Sequence, residues 1–159
     1  MVKSSVEMQS LGERLAGNFV KGGIVTLRGD LGSGKTTFTQ GFAKGLGIER
    51  RIISPTFVMV RKYEVRNMKQ EGENPPLTPP REGKDKKKDS FIDFYHVDLY
   101  RTTSMQEIDG LGLREILADK SNVVVIEWAE RLGELPKERL DLQFEYMREN
   151  VRKVMIGEH

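Results

Sequence analysis

Residues 29–36 combine the residue types that hold a polyphosphate chain. They fit the pattern G-x-x-x-x-G-K-[ST], with Gly34, Lys35 and Thr36 at its fixed end. Glycines without side chains allow consecutive backbone N–H groups to curl around phosphate oxygens, and a helix that begins at the loop adds its positive end. Lys35 would neutralise the β- and γ-phosphates, and the Thr36 hydroxyl would hold Mg²⁺. The pattern therefore predicts a nucleoside triphosphate as the ligand.

The segments on either side suit such a loop. Residues 24–27 are rich in β-branched side chains, which is typical of a short buried strand. After the loop, Phe38, Phe42 and Leu46 recur at helical spacing, so the order is strand, loop, helix. A dinucleotide-binding turn of the type G-x-G-x-x-G would need glycine where this chain has Thr37.

Composition excludes several classes of protein. A chain of 159 residues suits one domain with one core, and a net charge of +2 is too small to indicate nucleic-acid binding by itself. Without cysteine there is no disulfide and no thiolate metal site, so a metal would be bound through oxygen. Residues 11–20 resemble an amphipathic helix and not a signal peptide, and no apolar run approaches the roughly twenty residues that span a bilayer. We expect a cytoplasmic protein with no membrane association.

Residues 66–90 differ from the rest of the chain. This segment contains four prolines, a lysine-rich block at residues 84–88 and almost no large apolar side chain. It can bury too little surface to offset the entropy lost on ordering. We expect a disordered insertion within a single domain spanning residues 1–159. The lysine-rich block is either a solvated surface or a contact for tRNA.

The remaining pattern predicts an α/β fold. We expect strands at residues 57–65, 91–101 and 123–126, a helix in two pieces over residues 105–119 and a short helix at 129–132. Residues 140–146 alternate apolar and polar side chains, and residues 151–156 follow a turn, which predicts an antiparallel hairpin. The fold expected is a three-layer P-loop NTPase fold, with a mostly parallel central sheet and this hairpin at its C-terminal end.

Two acidic residues end apolar strands in this prediction. Glu127 ends one strand and Asp98 lies near the end of another, at the sheet edge where open α/β folds bind ligands. A carboxylate there is costly to bury without a cation or hydrogen-bond donors. Either residue is a candidate to bind Mg²⁺ or to orient an attacking water. The alternative is that each caps its strand in solvent.

Two further residues are candidates for contact with nucleotide or partner, and a third is given a structural role. Thr56 either senses the γ-phosphate or is an ordinary turn residue after a proline. His96 is interpreted as a hydrogen-bonded structural residue, with no role as a base. Trp128 either belongs to the core or provides a platform for nucleotide or partner.

Four segments in chain order resemble the bacterial TsaE (YjeE) family of ATPases of tRNA threonylcarbamoyladenosine biosynthesis. They are residues 29–38, 54–57, 96–101 and 126–128. The resemblance implies a small P-loop ATPase that binds ATP and Mg²⁺ and works with the TsaD and TsaB proteins. Those proteins place threonylcarbamoyl on adenosine 37 of tRNA, so tRNA would be met through the complex. Hydrolysis is expected to be slow alone and promoted by the partners.

The resemblance also implies site residues. The residues expected to bind nucleotide are Asp30, Leu31, Gly32, Ser33, Gly34, Lys35, Thr36, Thr37, Thr56 and Trp128. Lys35, Asp98 and Glu127 would be catalytic, and Thr36, Asp98 and Glu127 would bind the metal. Residues 54–57 would form a loop resembling a switch.

The chain departs from the family pattern at two places. Met8 stands where the family usually has threonine, and residues 66–90 replace a short connection. Two other functions stay open, because the loop alone does not distinguish water from a substrate hydroxyl. One is a phosphotransferase acting on a small metabolite, and the other is a non-catalytic module that docks on a partner when ATP is bound.

Overall fold

A six-stranded sheet forms the centre of the computed structural model, which describes residues 1–50, 52–54, 59–66 and 91–159. The strands are β1 (Gly23–Arg28), β2 (Val60–Arg66), β3 (Phe91–Asp98), β4 (Val123–Glu127), β5 (Leu140–Arg148) and β6 (Val151–Glu158). Their order is β2-β3-β4-β1-β5-β6. The four inner strands run parallel, and β2 and β6 pair antiparallel at the edges. The predicted α/β fold with a C-terminal antiparallel hairpin is confirmed.

Four α-helices pack on this sheet within the described ranges. They are α1 (Ser5–Ala16), α2 (Lys35–Gly45), α3 (Met105–Asp109) and α4 (Leu113–Ala118). Short 3₁₀ helices follow α1 at Gly17–Phe19 and follow β4 at Ala129–Leu132. No helix of the described ranges is long and apolar enough to cross a membrane.

The sheet buries side chains on both of its faces. Phe38 and Phe42 of α2 pack with Phe94 and Phe144 on one face, in the core that also contains residues of α1. The other face packs against α3 and α4, where Val97 and other residues form a second core. All five residues of β4 are buried, which explains its unbroken apolar run. Ile92 and Phe94 of β3 belong to the first core, and Tyr95 and Val97 pack in the second, because successive residues of a strand face opposite sides.

The first predicted helix ends earlier than expected. The α-helix begins after Ser4, whose hydroxyl accepts the Glu7 N–H, and it ends at Ala16. The prediction that it continues to residue 20 is wrong, because the chain tightens into the 3₁₀ helix at Gly17–Phe19 and Val20 lies beyond it.

Two predicted strands have different ends. The expected strand over residues 91–101 stops at Asp98, because the Asp98 carboxylate accepts the Tyr100 N–H and the Thr102 N–H turns back to the Leu99 carbonyl. In the strand expected over residues 57–65, Met59 has a left-handed φ of 63° and β2 begins only at Val60. Residues 57 and 58 lie outside the described residues, as do residues 67–90 of the predicted insertion.

Candidate functional site

The glycine-rich loop joins the end of β1 to the start of α2. Gly34 precedes α2 with a φ of 105°, and a Cβ there would lie 3.0 Å from the Met8 side chain. Gly29 has a φ of 134°, and a Cβ there would lie 2.4 Å from the Phe144 carbonyl oxygen. Because the first backbone N–H groups of a helix have no carbonyl partner within it, the loop ends in amides that can bind an anion.

Lys35 begins α2, and its side chain lies against the loop. Its Nζ donates to the carbonyl oxygens of Gly29 at 2.6 Å and Asp30 at 2.9 Å, and it lies 4.0 Å from the centroid of the Trp128 ring. The residue is only 4% exposed. Burial lowers the pKa of the Lys35 ammonium, although nearby carboxylates, Glu127 foremost, oppose the shift. A single ammonium group therefore lies within the loop that a polyphosphate would occupy.

Glu127 ends β4 beneath the start of α2. Its Oε2 accepts a hydrogen bond from the Thr36 hydroxyl at 2.9 Å. Its Oε1 lies 2.8 Å from His96 Nε2 and accepts a longer bond from the Thr39 hydroxyl at 3.4 Å. Glu127 is 2% exposed, so the alternative that it merely caps a strand in solvent is wrong. The interpretation of His96 as a hydrogen-bonded residue is confirmed.

Asp98 lies beside Glu127 at the same edge of the sheet. The two residues are register partners on the parallel strands β3 and β4. Asp98 is buried, which also excludes a solvent cap, and it accepts hydrogen bonds from the Ser54 hydroxyl at 2.6 Å and the Tyr100 N–H at 3.0 Å. Ser54 begins the segment expected to resemble a switch, whereas Thr56 of that segment lies outside the described residues.

A cavity of about 370 Å³ connects these groups. It is lined by Leu31, Gly32, Gly34, Lys35, Thr36, Thr37, Ser54, Asp98, Tyr100, Glu127 and Trp128. Two predicted loop residues do not line it, but both contact Lys35: Asp30 through its carbonyl and Ser33 through its hydroxyl at 3.5 Å. Trp128 is only partly buried, and its ring centroid lies 5.0 Å from that of Tyr100. Most of the residues predicted from sequence are thus brought together.

A second cavity, of about 190 Å³, lies beside the loop and shares Gly32, Gly34 and Thr37 with the first. Met8 contributes an apolar wall, and Arg152 donates a hydrogen bond of 3.4 Å to the Gly32 carbonyl. Asn150 also lines this cavity. Sequence reasoning missed Asn150 and Arg152, because they belong to the turn and strand of the C-terminal hairpin and to no motif.

The oxygen atoms at this edge suit a magnesium ion. Thr36 offers a hydroxyl, and Asp98 and Glu127 offer carboxylates, all lining one cavity. Mg²⁺ prefers oxygen ligands and is usually held by one or two carboxylates together with substrate phosphates and water. Among the described residues, no group of three or more histidine, aspartate or glutamate side chains is arranged to hold a metal ion. The donor set fits Mg²⁺ that is shared with a polyphosphate.

This arrangement defines a class of protein. A buried strand leads through a glycine-rich loop into a helix that begins with lysine and threonine, and the threonine contacts a carboxylate at the end of the adjacent parallel strand. Together with the mostly parallel sheet, these features are those of a P-loop α/β fold.

Comparison with known proteins identifies the family. The family model described as threonylcarbamoyl adenosine biosynthesis protein TsaE matches residues 2–75 and 82–154. The tRNA threonylcarbamoyladenosine biosynthesis protein TsaE of Bacillus subtilis is 36% identical over 143 residues, which cover 89% of this chain and 73% of that protein. The protein of the same name from Streptomyces coelicolor is 36% identical over 140 residues, covering 87% and 78%. The chain belongs to the TsaE family.

A solved structure agrees with this assignment. The crystal structure of YdiB from Bacillus subtilis superposes with a TM-score of 0.67 at 29% sequence identity. The superposition covers 99% of this chain and 87% of that one. The residues between the two segments matched by the family model, 76–81, fall within the predicted insertion.

Proposed function

We propose that this protein is the ATP-binding and ATP-hydrolysing component of the machinery that makes threonylcarbamoyladenosine at position 37 of tRNA, acting in the cytoplasm with TsaD and TsaB. The observation that carries the proposal is the contact between Thr36 and Glu127 beside the buried Lys35. The relatives named above share a name that places them in this pathway. The partners follow from the family resemblance.

ATP binding begins with the polyphosphate in the larger cavity. Its oxygens accept hydrogen bonds from the amides at the start of α2, and Lys35 exchanges the carbonyls of Gly29 and Asp30 for the β- and γ-phosphates. The two cavities share Gly32 and Gly34, which supports a binding mode in which the nucleoside would extend from the larger cavity into the smaller one, along the wall formed by Met8. In this chain that wall supplies a thioether instead of a hydroxyl.

Hydrolysis uses the acidic edge of the sheet. Thr36, Asp98 and Glu127 would hold Mg²⁺, and the bound ion would supply positive charge against the phosphate oxygens and the leaving group. Because the Thr36 hydroxyl donates its hydrogen to Glu127, the lone pairs of the Thr36 oxygen remain available to bind a metal ion in the cavity. Asp98, held by the Ser54 hydroxyl, adds the second carboxylate that orients the attacking water. Positioning and charge neutralisation are the main contributions that phosphoryl transfer requires.

The test is product analysis with labelled ATP in the presence of TsaD and TsaB. We expect inorganic phosphate from the wild-type protein, and strongly reduced release from Lys35→Ala and Glu127→Ala. A phosphorylated small molecule as the product would instead identify a phosphotransferase. Unchanged tRNA modification in cells carrying Glu127→Gln, with nucleotide binding intact, would identify a docking module. Equal hydrolysis by all three proteins would refute the proposal.

A further inference from the structure

His96 is a fully buried titratable residue to which the proposed function gives no role. Its side chain is 0% exposed, on the strand that carries Asp98 two residues further on. Its Nε2 lies 2.8 Å from Oε1 of Glu127. The imidazole therefore contacts a residue of the proposed active site from the side of the protein interior.

The two oxygens of Glu127 have different partners. Oε2 accepts from the Thr36 hydroxyl at the cavity, whereas Oε1 is bound by His96 and more weakly by Thr39. A carboxylate whose two oxygens are both held has one orientation. If the bond to His96 were removed, the 3.4 Å contact with Thr39 would be the hydrogen bond left to Oε1 among the described residues, and the group could rotate away from Thr36.

The hydrogen on His96 follows from the chemistry of its partner. An ionised carboxylate only accepts hydrogen bonds, so Nε2 carries the hydrogen and donates it to Oε1. The other ring nitrogen, Nδ1, is buried and has no hydrogen-bond partner among the described residues. With its hydrogen on Nε2, the ring donates to the carboxylate and presents a lone pair at the buried Nδ1.

We propose that His96 is a positioning residue that holds the Glu127 carboxylate in the orientation in which it accepts from Thr36 and faces the metal. The inference rests on the proposed function, because Glu127 needs a fixed orientation only if it serves the magnesium nucleotide. Hydrogen bonds from such supporting residues orient metal-binding carboxylates. Their loss typically lowers metal affinity or activity by about 10- to 100-fold.

Two amide substitutions separate this role from simple filling of space. The side-chain amide of His96→Gln reaches about as far as Nε2 and can donate to Oε1, whereas that of His96→Asn is shorter and lies nearer the position of Nδ1. In the complete protein with TsaD and TsaB, we expect His96→Gln to keep a kcat for ATP hydrolysis close to that of wild type. We expect His96→Asn to lose about 10- to 100-fold in kcat with a smaller change in KM. Tyr95→Phe, on the opposite face of the same strand, is the matched control.

A binding measurement supplies a readout that does not depend on turnover. Calorimetry of ATP with Mg²⁺ and with EDTA gives the factor by which the metal increases affinity. His96→Asn should reduce that factor and leave the affinity in EDTA unchanged, whereas a loss of structure would lower both. In a Glu127→Gln background, His96→Asn should cause no further loss of kcat, because the two residues act as one unit.

The outcomes distinguish failure of the positioning role of His96 from failure of the proposed ATPase function. Equal kcat and equal metal dependence in His96→Asn and His96→Gln, beside an active wild type, would overturn the positioning role alone. A full additional loss from His96→Asn in the Glu127→Gln background would overturn it as well. A wild-type complex that releases no phosphate would overturn the proposed function, and this inference with it.

Discussion

Oγ1 of Thr36 lies 2.9 Å from Oε2 of Glu127, which ties the first turn of α2 to the end of β4 across 91 residues of sequence. Both residues line the larger cavity, and Lys35 lies beside them. The loop and the acidic edge of the sheet are thereby fixed relative to each other.

Replacement of Glu127 by glutamine should separate binding from hydrolysis. The amide keeps the shape of the side chain but removes the charge that faces Thr36 and the metal. We expect ATP affinity within a few-fold of wild type and a fall in kcat of about 100-fold, typical for loss of one electrostatic contribution at the reacting groups. The rate of phosphate release in the presence of TsaD and TsaB measures kcat. Glu130→Gln, an exposed change three residues further on, is the control, and equal rates in both variants would contradict the assignment.

Nucleotide affinity should depend on pH through Lys35. Burial lowers the pKa of this ammonium below its usual 10.5 in the free protein, and bound phosphates would raise it again. At a pH between the pKa of Lys35 in the free protein and its pKa in the complex, binding of ATP takes up a proton. The affinity for ATP therefore falls as the pH rises through the lower of these two pKa values. The same shift makes the free protein gain stability as the pH rises from the lowered value towards 10.5, because the unfolded chain binds more protons there.

Calorimetry in two buffers of different ionisation enthalpy measures that proton uptake. Lys35→Arg provides the comparison, since a guanidinium stays charged throughout this range. Proton uptake of the same size in wild type and in Lys35→Arg would show that another group is responsible.

The contact between α1 and α2 should not tolerate a methyl group at Gly41. A Cβ there would lie 2.0 Å from the carbonyl oxygen of Gln9, so the helices would have to separate. We expect Gly41→Ala to reduce the free energy of unfolding by about 1–3 kcal/mol, the usual cost of overpacking. Gly17→Ala is the control, because a Cβ at Gly17 meets nothing within 4 Å. Equal midpoints of urea unfolding in the two variants would contradict the close packing.

The carboxylate of Asp141 should matter for stability and not for nucleotide binding. It is buried on β5, accepts from the Thr26 hydroxyl and pairs with Arg28, and Arg139 lies 3.7 Å away. Asp141→Ala leaves Arg28 and Arg139 without this counter-charge and the Thr26 hydroxyl without this acceptor, so we expect a loss of about 1–3 kcal/mol in the free energy of unfolding. Denaturant titration measures it, with Gln143→Ala as the control on the same strand. A loss of ATP affinity in the folded Asp141→Ala variant would argue against this separation.

Much of the fold could be predicted because the spacing of apolar residues in the sequence matches the faces that the helices and strands bury. The apolar residues of β4 require cover on both faces, and Phe38 and Phe42 recur at the spacing of a helix that packs on a sheet. The ends of strands were predicted less well. Met59 and Leu99 look like strand residues. The left-handed φ of Met59 delays the start of β2, and the bonds from the Tyr100 and Thr102 N–H groups back to Asp98 and Leu99 turn the chain after β3.

The site was predicted in part for a similar reason. The residues of a loop motif are contiguous in the sequence, so Lys35 and Thr36 could be recognised directly. Glu127 could be recognised because it follows an unbroken apolar run that predicts a strand. The partnership of His96 with Glu127 depends on β3 lying next to β4, which no local pattern specifies. Arg152 reaches the loop only because the N-terminal segment and the C-terminal hairpin meet there, with Val2 bridging to Arg152.

The most direct test of the account is a calorimetric titration of ATP with Mg²⁺ into wild type, Lys35→Met and Lys44→Met. Methionine keeps the length of the stem, and Lys44 is an exposed lysine on the same helix, paired only with Glu13 among the ion pairs of the described residues. The account predicts saturable binding by wild type and Lys44→Met, and a loss of at least about tenfold in affinity, or 1.4 kcal/mol, for Lys35→Met. Absence of binding by wild type, or equal binding by all three proteins, would contradict it.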